Sequence, residues 1–523
     1  MSENTKNKRK LIVTSALPYA NSSLHLGHIL EAVQTDIWVR FQNQNLNECL
    51  YFCADDTHGT PVMLKAQELG LSPEELIKNV KKDHIETYEK YGIDFTNFHS
   101  THSDENKKIA QEIYMSAKEN GLIKKKVINQ LYDTKESMFL SDRFIKGTCP
   151  KCSAEDQYGD GCGVCNAAFS VEELINPIST LSNTKPILKE SEHIFFDLPS
   201  KSEYIKKFLS EATLQEPIIN KLHEWVGDGL KEWDISRDAP YFGFQIPNEP
   251  NKFFYVWLDA PIGYIASAMN WSVKKNIDIS DLWFKNSEYE IHHFIGKDIS
   301  YFHGLFWPAL LESSKYKLPD GIHVHGFLTL NGEKMSKSLG NFAMLKDLFI
   351  SYHPEVIRYY LVSSHYRSSL NFDQESLNQA RSALTRLYQA LTSMEGEGNE
   401  LDQDMMNQFS FVMNDDLNTP EALSLLFQLA KSINNAPDPK QKMKYGATLK
   451  KLSGVLGLLQ DEPKNFFQFG ATLSDEEIGQ QIALRNAARD ERDFQTADKI
   501  RDSLIEQGII LDDSSDGTTW KKS

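Results

Sequence analysis

The chain has 523 residues, 40% of them hydrophobic, and a formal net charge of −17. This length is too great for one hydrophobic core and predicts three or four domains. The sequence holds no apolar run long enough for a membrane-spanning helix, and its acidic total excludes a general attraction to nucleic acid, although a basic face on an acidic body would still bind one.

The cysteines and the amino-terminal segment indicate the compartment. Four of the six cysteines form two CxxC pairs, and the other two, Cys49 and Cys53, flank an apolar stretch. This usage is typical of a reducing compartment rather than of a disulfide framework. Residues 1–10 are polar and basic, without the apolar core of a secretory signal. We therefore expect a cytoplasmic protein without membrane contacts.

The first predicted elements are a strand, a loop and a helix. Residues 11–17 form a β-branched run, and apolar residues recur at helical spacing over residues 30–39. A second predicted strand, residues 49–54, ends in the polar segment 55–59. This is how a parallel nucleotide-binding sheet begins, and such sheets bind ligands at the carboxyl ends of their strands.

His25-Leu-Gly-His28 lies at the predicted start of the first helix. Backbone N–H groups and the helix dipole favour an anion there, and two imidazoles one turn apart can donate to the same phosphate. Gly27 would let ATP approach the backbone closely. The alternative is a pair of surface histidines at a helix start, because short motifs often occur by chance.

A second motif, Lys334-Met-Ser-Lys337-Ser338, follows about three hundred residues later. Two lysines on a loop can reach a triphosphate and stabilise the charge that develops as pyrophosphate leaves. Taken alone, the motif could be a charge-rich surface turn. The two motifs in this order indicate a class I aminoacyl-tRNA synthetase, with His25, His28, Lys334 and Lys337 as candidate catalytic and ATP-binding residues.

Between the two motifs, the paired cysteines have the spacing of a zinc ribbon. Two CxxC knuckles supply four thiolates to one tetrahedral zinc ion, and such a closed shell is structural rather than catalytic. Four free thiols are the alternative. The predicted ligands are Cys149, Cys152, Cys162 and Cys165.

Residues 11–338 resemble bacterial methionyl-tRNA synthetases. The segments that carry the resemblance occur in family order and are ALPYAN (16–21), ADDTHGTP (54–61), the cysteine knuckles, WDISRDAP (233–240), FYVWLDAPIGY (254–264) and HFIGKD (293–298). The resemblance implies that Asp56 holds the amino group of methionine and that an ion pair between Arg237 and Asp298 supports the pocket. The implied pocket residues are Ala16, Leu17, Tyr19, Asp56, Trp257, Ala260, Pro261, Tyr264, Ile299 and His303.

From residue 339 onward the chain is similar to the carboxyl part of cysteinyl-tRNA synthetases. The matching segments are LGNF (339–342), RYYL (358–361), HYRSSLNF (365–372), DDLNTPEA (415–422), KLSGVLGLL (451–459) and GTTWK (517–521). Leucines at helical spacing independently predict helices here, and residues 418–420 have the capping residue and early proline of a helix start.

The second resemblance implies that the last module reads the first anticodon base of a tRNA. We predict two helices, a strand at residues 508–511 and a turn at 516–517 for this module. Phe494 stands where the family usually has tryptophan, so stacking on the base would be retained. The candidate anticodon residues are Arg489, Phe494, Asp498 and Trp520.

These expectations give an α/β fold class, with a Rossmann-type parallel-sheet catalytic domain, a zinc-ribbon insertion, an α-helical bundle and a small carboxyl-terminal module. The predicted boundaries are 1–117 and 231–345 for the two catalytic halves, 118–230 for the insertion with its knuckles at 149–165, 346–465 for the bundle, and 466–523 for the module.

The predicted function is that of a methionine–tRNA ligase with a cysteinyl-type tRNA-binding part. It would be a monomer that uses ATP with Mg²⁺, methionine and tRNA, and contains one structural Zn²⁺. The alternatives are a cysteine–tRNA ligase and a tRNA-binding protein without catalysis. We see no candidate ligands for the catalytic zinc of the cysteinyl family, which argues against cysteine activation.

Overall fold

The computed structural model describes residues 8–140, 144–159, 162, 164–165, 173–330, 333–334, 345–394, 396, 398–471, 473–514 and 517–522. They form two compact units, of which the first ends at Phe327 and the second begins at Leu328. Within these ranges, none of the helices reaches the length and apolar content that crossing a membrane requires.

The first unit opens with alternating strands and helices. These are β1 Lys10–Ser15, α1 Leu26–Gln44, β2 Glu48–Asp55, α2 Thr60–Leu69, α3 Pro73–Lys90, β3 Asn97–Ser100 and α4 Asp104–Glu119. Local capping explains where the helices start, as at α3. The Ser72 side chain accepts from the backbone N–H of Glu75, and the Glu75 side chain accepts from the backbone N–H of Ser72. Pro73 occupies the first turn.

An insertion built mainly from antiparallel strands follows α4. It consists of β4 Ile123–Asp133, β5 Met138–Phe139, β6 Ile145–Thr148, β7 Gln157–Tyr158, β8 Ile175–Ser179, β9 Ile187–Phe196, α5 Ser202–Glu211, α6 Glu216–Gly227 and β10 Trp233–Asp234. β4 and β9 form a long antiparallel pair from Ile123 opposite Phe196 to Tyr132 opposite Ile187. The cysteine knuckles lie beside β6–β8 within the insertion.

The chain then completes the parallel sheet. The elements are β11 Ser236–Asp238, β12 Lys252–Phe254, α7 Val256–Asp259, α8 Ile262–Lys275, α9 Ile279–Trp283, β13 Glu290–Gly296, α10 Trp307–Glu312 and β14 Gly321–His325. The central sheet has the order β14-β13-β1-β2-β3, and all its pairings are parallel. Val13 of β1 lies between Tyr51 of β2 and His292 of β13. The predicted α/β fold class is confirmed.

The second unit is mainly helical. It consists of β15 Leu328–Leu330, β16 Glu333–Lys334, α11 Leu345–Ser351, α12 Pro354–Val362, β17 Leu370–Phe372, α13 Gln374–Thr392, α14 Gln403–Asn414, α15 Thr419–Asn435, α16 Pro439–Leu456, α17 Pro463–Gln468, α18 Asp475–Asp490, α19 Phe494–Glu506, β18 Ile509–Ser514 and β19 Gly517–Lys522. The helix start predicted at residues 418–420 is present, since the Asn418 side chain accepts from the N–H of Glu421 at 3.3 Å.

Within the described residues, the terminal module differs in one respect from the prediction; the turn predicted at 516–517 lies partly outside them. The expected strand at residues 508–511 is β18, but it runs to Ser514 and pairs antiparallel with β19, which the prediction lacks. Leu511 lies opposite Trp520 in this pair. Thr518 and Thr519 and the lysines that follow give β19 only one large apolar residue, so hydrophobic alternation did not reveal it. The predicted domain boundaries stay predictions.

Candidate active site

The loops that follow the strands of the parallel sheet carry most of the candidate site. Ala16 and Leu17 follow β1, Asp56 follows β2, and Ile299 follows β13. Since β1 has β2 on one side and β13 on the other, connections leave it in opposite directions and open a crevice at the carboxyl ends of the strands. The segment from α7 to α8 supplies Trp257 and the residues after it.

A cavity of 140 Å³ lies at this crevice. Pockets for drug-sized ligands measure roughly 300–1,000 Å³, so this cavity suits a small ligand or one side chain. Its lining is mostly apolar and aromatic and consists of Ala16, Leu17, Asp56, Trp257, Ala260, Pro261, Tyr264, Ile299, Phe302 and His303.

The lining can be compared with the predicted methionine-site residues. All of them except Tyr19 line the cavity. Tyr19 forms a bridge with Asp56, but its hydroxyl donates to the carbonyl oxygen of His58. Phe302 is absent from the predicted set. It begins the π-helical turn Phe302–Phe306, three residues after Ile299, and helical spacing from Ile299 would have identified it.

Asp56 is the acidic group of the lining. The residue is 8% exposed, and its Oδ1 atom is buried with no hydrogen-bond partner in the described part of the chain. Burial raises the pKa of Asp56 well above its usual range, the nearby Asp259 carboxylate raises it further, and a hydrogen bond from the His58 backbone opposes the rise. Such a carboxylate is well suited to bind a cationic group that enters the cavity.

His303 and Tyr264 form a neutral hydrogen-bonded wall. The Tyr264 hydroxyl lies 3.0 Å from Nε2 of His303, whose Nδ1 lies 3.2 Å from the carbonyl oxygen of Ile299. The carbonyl can only accept, so Nδ1 carries the proton and Nε2 accepts from the hydroxyl. Burial lowers the pKa of His303 to about 4. This wall therefore presents an uncharged imidazole at neutral pH.

The two motif histidines lie at the amino terminus of α1. Nδ1 of His25 accepts from the N–H of Gly27 at 3.2 Å, and Nδ1 of His28 accepts from the N–H of His25 at 3.3 Å. Their rings stack with centroids 3.6 Å apart. A Cβ added at Gly27 would meet the His25 ring at 3.0 Å. The two rings are thus fixed as a unit at a helix end that favours anions.

The lysine motif lies largely outside the described residues. Lys334 is in β16, where it pairs with Thr329 of β15, and its side chain is outside the described part. Lys337 is not described. Their predicted role stays a prediction.

The predicted ion pair between Arg237 and Asp298 is not formed. Arg237 lies in the β11–β12 hairpin, 3.5 Å from Asp234, and its guanidinium sits 3.8 Å from the centroid of the Tyr255 ring. Asp298 is exposed. The cation–π contact and the carboxylate three residues earlier thus hold Arg237. The resemblance did not indicate which partners the β11–β12 hairpin gives Arg237.

The four knuckle cysteines converge in the insertion. The Sγ atoms of Cys149 and Cys165 are 3.8 Å apart, those of Cys152 and Cys162 are 3.5 Å apart, and all four lie within 4.8 Å of one another. A tetrahedron with Zn–S bonds of about 2.3 Å has edges of about 3.8 Å. Backbone N–H groups in each knuckle point to the first thiol, as in Lys151 to Cys149 at 3.3 Å. The cluster fits one zinc ion.

Comparison with protein families decides the class of the molecule. Residues 11–387, well over half of the chain, match the family described as "tRNA synthetases class I (M)". The chain belongs to this family. The class I synthetase predicted from the sequence motifs is therefore confirmed, and the match extends past residue 338, where the first resemblance was expected to end.

Solved structures similar to this synthetase agree with its fold. Two structures of Mycobacterium tuberculosis methionyl-tRNA synthetase, one described as bound by methionyl-adenylate and the other as in complex with it, each have a TM-score of 0.62 and 20% sequence identity. Each match covers 86% of this chain, and 90% and 89% of the other chain, respectively. At this identity the likeness concerns the fold.

The second unit of the synthetase carries a further match. Residues 408–460, within the predicted bundle, match a DALR domain. Among the predicted anticodon residues, Arg489 pairs with Asp513 at 2.8 Å and Asp498 with Arg501 at 3.0 Å. Phe494 is 62% exposed, and Trp520 packs against the small core of the terminal module. Within the described residues no hydrogen bond or ion pair joins any two of the four.

Proposed function

We propose that this synthetase is a methionine–tRNA ligase. It activates methionine with ATP to methionyl-adenylate and transfers the methionyl group to the 3′ end of a tRNA. The observation that carries the proposal is the cavity of 140 Å³, which combines apolar and aromatic walls with one buried carboxylate, Asp56, that keeps an unpartnered oxygen.

The chemistry of the lining supports methionine among amino acids. A flexible thioether needs an apolar wall with aromatic contacts, and Trp257, Tyr264 and Phe302 supply one. An ammonium group needs a carboxylate, and Asp56 supplies that. The neutral imidazole of His303 adds a polarisable surface without a charge that would repel the ammonium.

The proposed ATP site combines His25, Gly27 and His28 with Lys334 and Lys337. ATP would bind as its Mg²⁺ complex, which neutralises phosphate charge. The imidazoles at the start of α1 would donate to the phosphates, and the lysines would stabilise the departing pyrophosphate. No covalent enzyme intermediate is needed, because the methionine carboxylate itself attacks the α-phosphorus.

We also propose one structural Zn²⁺, held by the four knuckle cysteines of the insertion. The convergence of their sulfur atoms supports a closed tetrahedral shell without an open position for substrate. Metal analysis of the purified protein should give about one zinc per chain. Removal of zinc by a chelator should lower the unfolding temperature, and a chelated protein that unfolds at the same temperature would contradict the structural role.

The second unit is proposed to bind tRNA. Trp520 lines a groove of 600 Å³ together with Phe467, Lys464 and Lys521, and aromatic rings with nearby lysines suit single-stranded RNA. The exposed Phe494 ring supports the same use. With the cysteinyl-type resemblance of this region, the proposal leaves two partners to test, a methionine tRNA and a cysteine tRNA. We expect a monomer that works in the cytoplasm.

Amino-acid-dependent ATP–pyrophosphate exchange tests the proposal. Exchange with methionine and not with cysteine is expected; exchange with cysteine alone would instead favour the cysteine–tRNA ligase. No exchange with any amino acid would favour a non-catalytic tRNA-binding protein. His28→Ala should reduce exchange at least about a hundredfold while the protein stays folded. Charging of purified methionine and cysteine tRNAs then identifies the partner.

A further inference from the structure

A buried carboxylate that the proposed reaction does not use directly precedes two residues of the cavity lining. Asp259 is the last residue of α7 and is 0% exposed. Its Oδ2 lies 2.5 Å from Nδ1 of His58, which is also 0% exposed. Its Oδ1 is buried without a hydrogen-bond partner in the described part of the chain. Two buried ionisable groups at this distance need a reason to persist, because burial of charge is costly.

The bond between Asp259 and His58 joins two segments that contribute residues to the cavity lining. His58 lies two residues after Asp56, in the loop that follows β2. Asp259 directly precedes Ala260 and Pro261, which line the cavity from the α7–α8 side. The pair therefore fixes the separation between the carboxylate of the site and its apolar wall.

The His58 ring is held from its other side as well. Nε2 of His58 lies 3.0 Å from Nδ1 of His102. The His102 ring stacks on Phe242 and Phe244, with centroids 4.9 and 5.7 Å away. Burial and the neighbouring His58 lower the pKa of His102, so this ring is neutral at neutral pH. Contacts on both ring nitrogens leave His58 one orientation.

His58 also reaches the site through its backbone. A hydrogen bond from the His58 backbone stabilises the charged form of the Asp56 carboxylate, while Oδ1 of that carboxylate stays unpartnered. The Tyr19 hydroxyl donates to the His58 carbonyl oxygen. His58 is thus held by its ring and by its carbonyl oxygen, in the same loop as Asp56.

A second buried histidine–carboxylate pair, His84 with Asp55, allows a comparison. Nδ1 of His84 lies 2.7 Å from Asp55, and its Nε2 lies 2.9 Å from the carbonyl oxygen of Ser22. Asp55 directly precedes Asp56, but His84 lies in α3, which contributes no residue to the lining. The Asp259 pair differs because it connects directly to two segments of the lining.

We propose that Asp259 and His58 are positioning residues for the ammonium group of the substrate. Asp259 fixes the His58 ring, and with it the loop that carries Asp56 two residues earlier, at a set distance from Ala260 and Pro261 of the lining. This inference rests on the proposed function, since it takes the bound group to be the ammonium of methionine.

Two substitutions of His58 of similar size separate the contacts. In His58→Asn the side-chain amide can replace Nδ1 as donor to Asp259, whereas in His58→Gln it lies nearer the position of Nε2. We expect His58→Gln to raise the KM for methionine about tenfold with little change in kcat, because a hydrogen bond to a charged group is lost. His58→Asn should stay within about threefold of the unchanged protein.

Two inhibitors distinguish positioning of Asp56 from general damage to the cavity. Methioninol keeps the ammonium group and lacks the carboxylate, and 4-(methylthio)butanoate keeps the thioether and lacks the ammonium. In His58→Gln, inhibition of exchange by methioninol should weaken about tenfold, and inhibition by 4-(methylthio)butanoate should not change. Equal weakening of both inhibitors, or equal behaviour of the Gln and Asn variants, would overturn the inference.

Two controls exclude misfolding of the variant and failure of the proposed function as explanations of the result. If His58→Gln does not fold by circular dichroism, Asp259→Asn replaces it, because the amide keeps an acceptor for Nδ1 without the charge. Its effect should be smaller, about threefold, and again confined to methionine and methioninol; an effect on 4-(methylthio)butanoate as well, or none on methioninol, would overturn the inference. If the unchanged protein shows no exchange with methionine, the proposed function fails, and that result is separate from any variant.

Discussion

Two buried carboxylates, one in each unit, differ in how their oxygens are used. Glu355, in α12 of the second unit, accepts from the Tyr388 hydroxyl at 3.0 Å and from the N–H groups of residues 459–461 at 2.8, 2.8 and 3.2 Å. Asp56, in the first unit, keeps a buried Oδ1 without any partner in the described residues. Both residues are less than one tenth exposed.

The difference indicates what each group is for. The hydrogen bonds to Glu355 close the turn between α16 and α17. They therefore stabilise the folded state of the second unit. The unpartnered oxygen of Asp56 lowers the stability of the folded state until a partner arrives. A ligand that brings a positive charge removes this cost, which favours its binding. The satisfied Glu355 thus belongs to the folded framework, whereas the unsatisfied Asp56, which lines a cavity, marks a candidate site.

The largest expected effect comes from Asp56→Asn. Loss of the partner for a buried ammonium should lower kcat/KM for methionine at least about a hundredfold. The free energy of unfolding without ligand should stay the same or rise, because an unpaired buried carboxylate is removed. ATP–pyrophosphate exchange and denaturant unfolding measure the two quantities. A variant that loses stability but keeps its kcat/KM would mean that Asp56 stabilises the fold and does not bind the ammonium group.

Glu355→Gln should give the opposite result. Its amide nitrogen would face backbone N–H groups, so we expect the free energy of unfolding to fall by about 2–3 kcal/mol. Exchange with methionine should not change at a temperature where the variant is folded. Glu375→Gln, at an exposed position of α13, is the control and should change stability by about 0.5 kcal/mol or less. Loss of exchange in folded Glu355→Gln would contradict a purely structural role.

In the first unit, the sequence predicted the secondary-structure elements and the site residues better than the contacts between polar side chains. The strand–loop–helix start and the cysteine knuckles follow from local patterns, and the resemblance supplied nearly the whole cavity lining. It did not supply the contact of Arg237 with Tyr255, nor the bond of Asp259 to His58, which join residues far apart in the chain. Such contacts depend on how hairpins and helices pack, and no local spacing encodes that packing.

A buried cation of the second unit, Arg358, can be tested by the substitution Gly457→Ala. Gly457 ends α16 with φ +66°, and an added Cβ would overlap the guanidinium of Arg358. Arg358 is 1% exposed, and its Nε donates to the carbonyl oxygen of Leu456 at 2.7 Å. Backbone strain and displacement of this bond should lower the free energy of unfolding by about 2 kcal/mol.

Gly479→Ala is the matched control for that substitution. Gly479 lies inside α18, and nothing lies within 4 Å of an added Cβ. Alanine should therefore raise helix stability by up to about 1 kcal/mol. Thermal unfolding compares the two variants. If both substitutions raise the free energy of unfolding, the contact between Gly457 and Arg358 does not limit this position. The hydrogen bond of Arg358 would then not be needed for the stability of the second unit.

The smallest effect concerns His303, which lines the cavity although both of its ring nitrogens have partners. Its folded pKa is about 4, below the ordinary 6.5, so the unfolded chain binds a proton at a higher pH than the folded protein does. Stability should therefore fall as pH drops from 6.5 toward 4, by at most about 1.4 kcal/mol per pH unit from this residue.

His303→Gln should remove that contribution to the pH dependence. Denaturant unfolding at pH 7.5 and at pH about 5 gives the test. The stability advantage of the unchanged protein over the variant should shrink at the lower pH, while the KM for methionine should rise less than in Asp56→Asn, because no charged partner is lost. A stability advantage that stays constant with pH would mean that the pKa of His303 is the same in the folded and the unfolded chain. A KM increase as large as that of Asp56→Asn would mean that satisfied groups of the cavity also bind substrate strongly, and the distinction between satisfied and unsatisfied groups would then not identify the site.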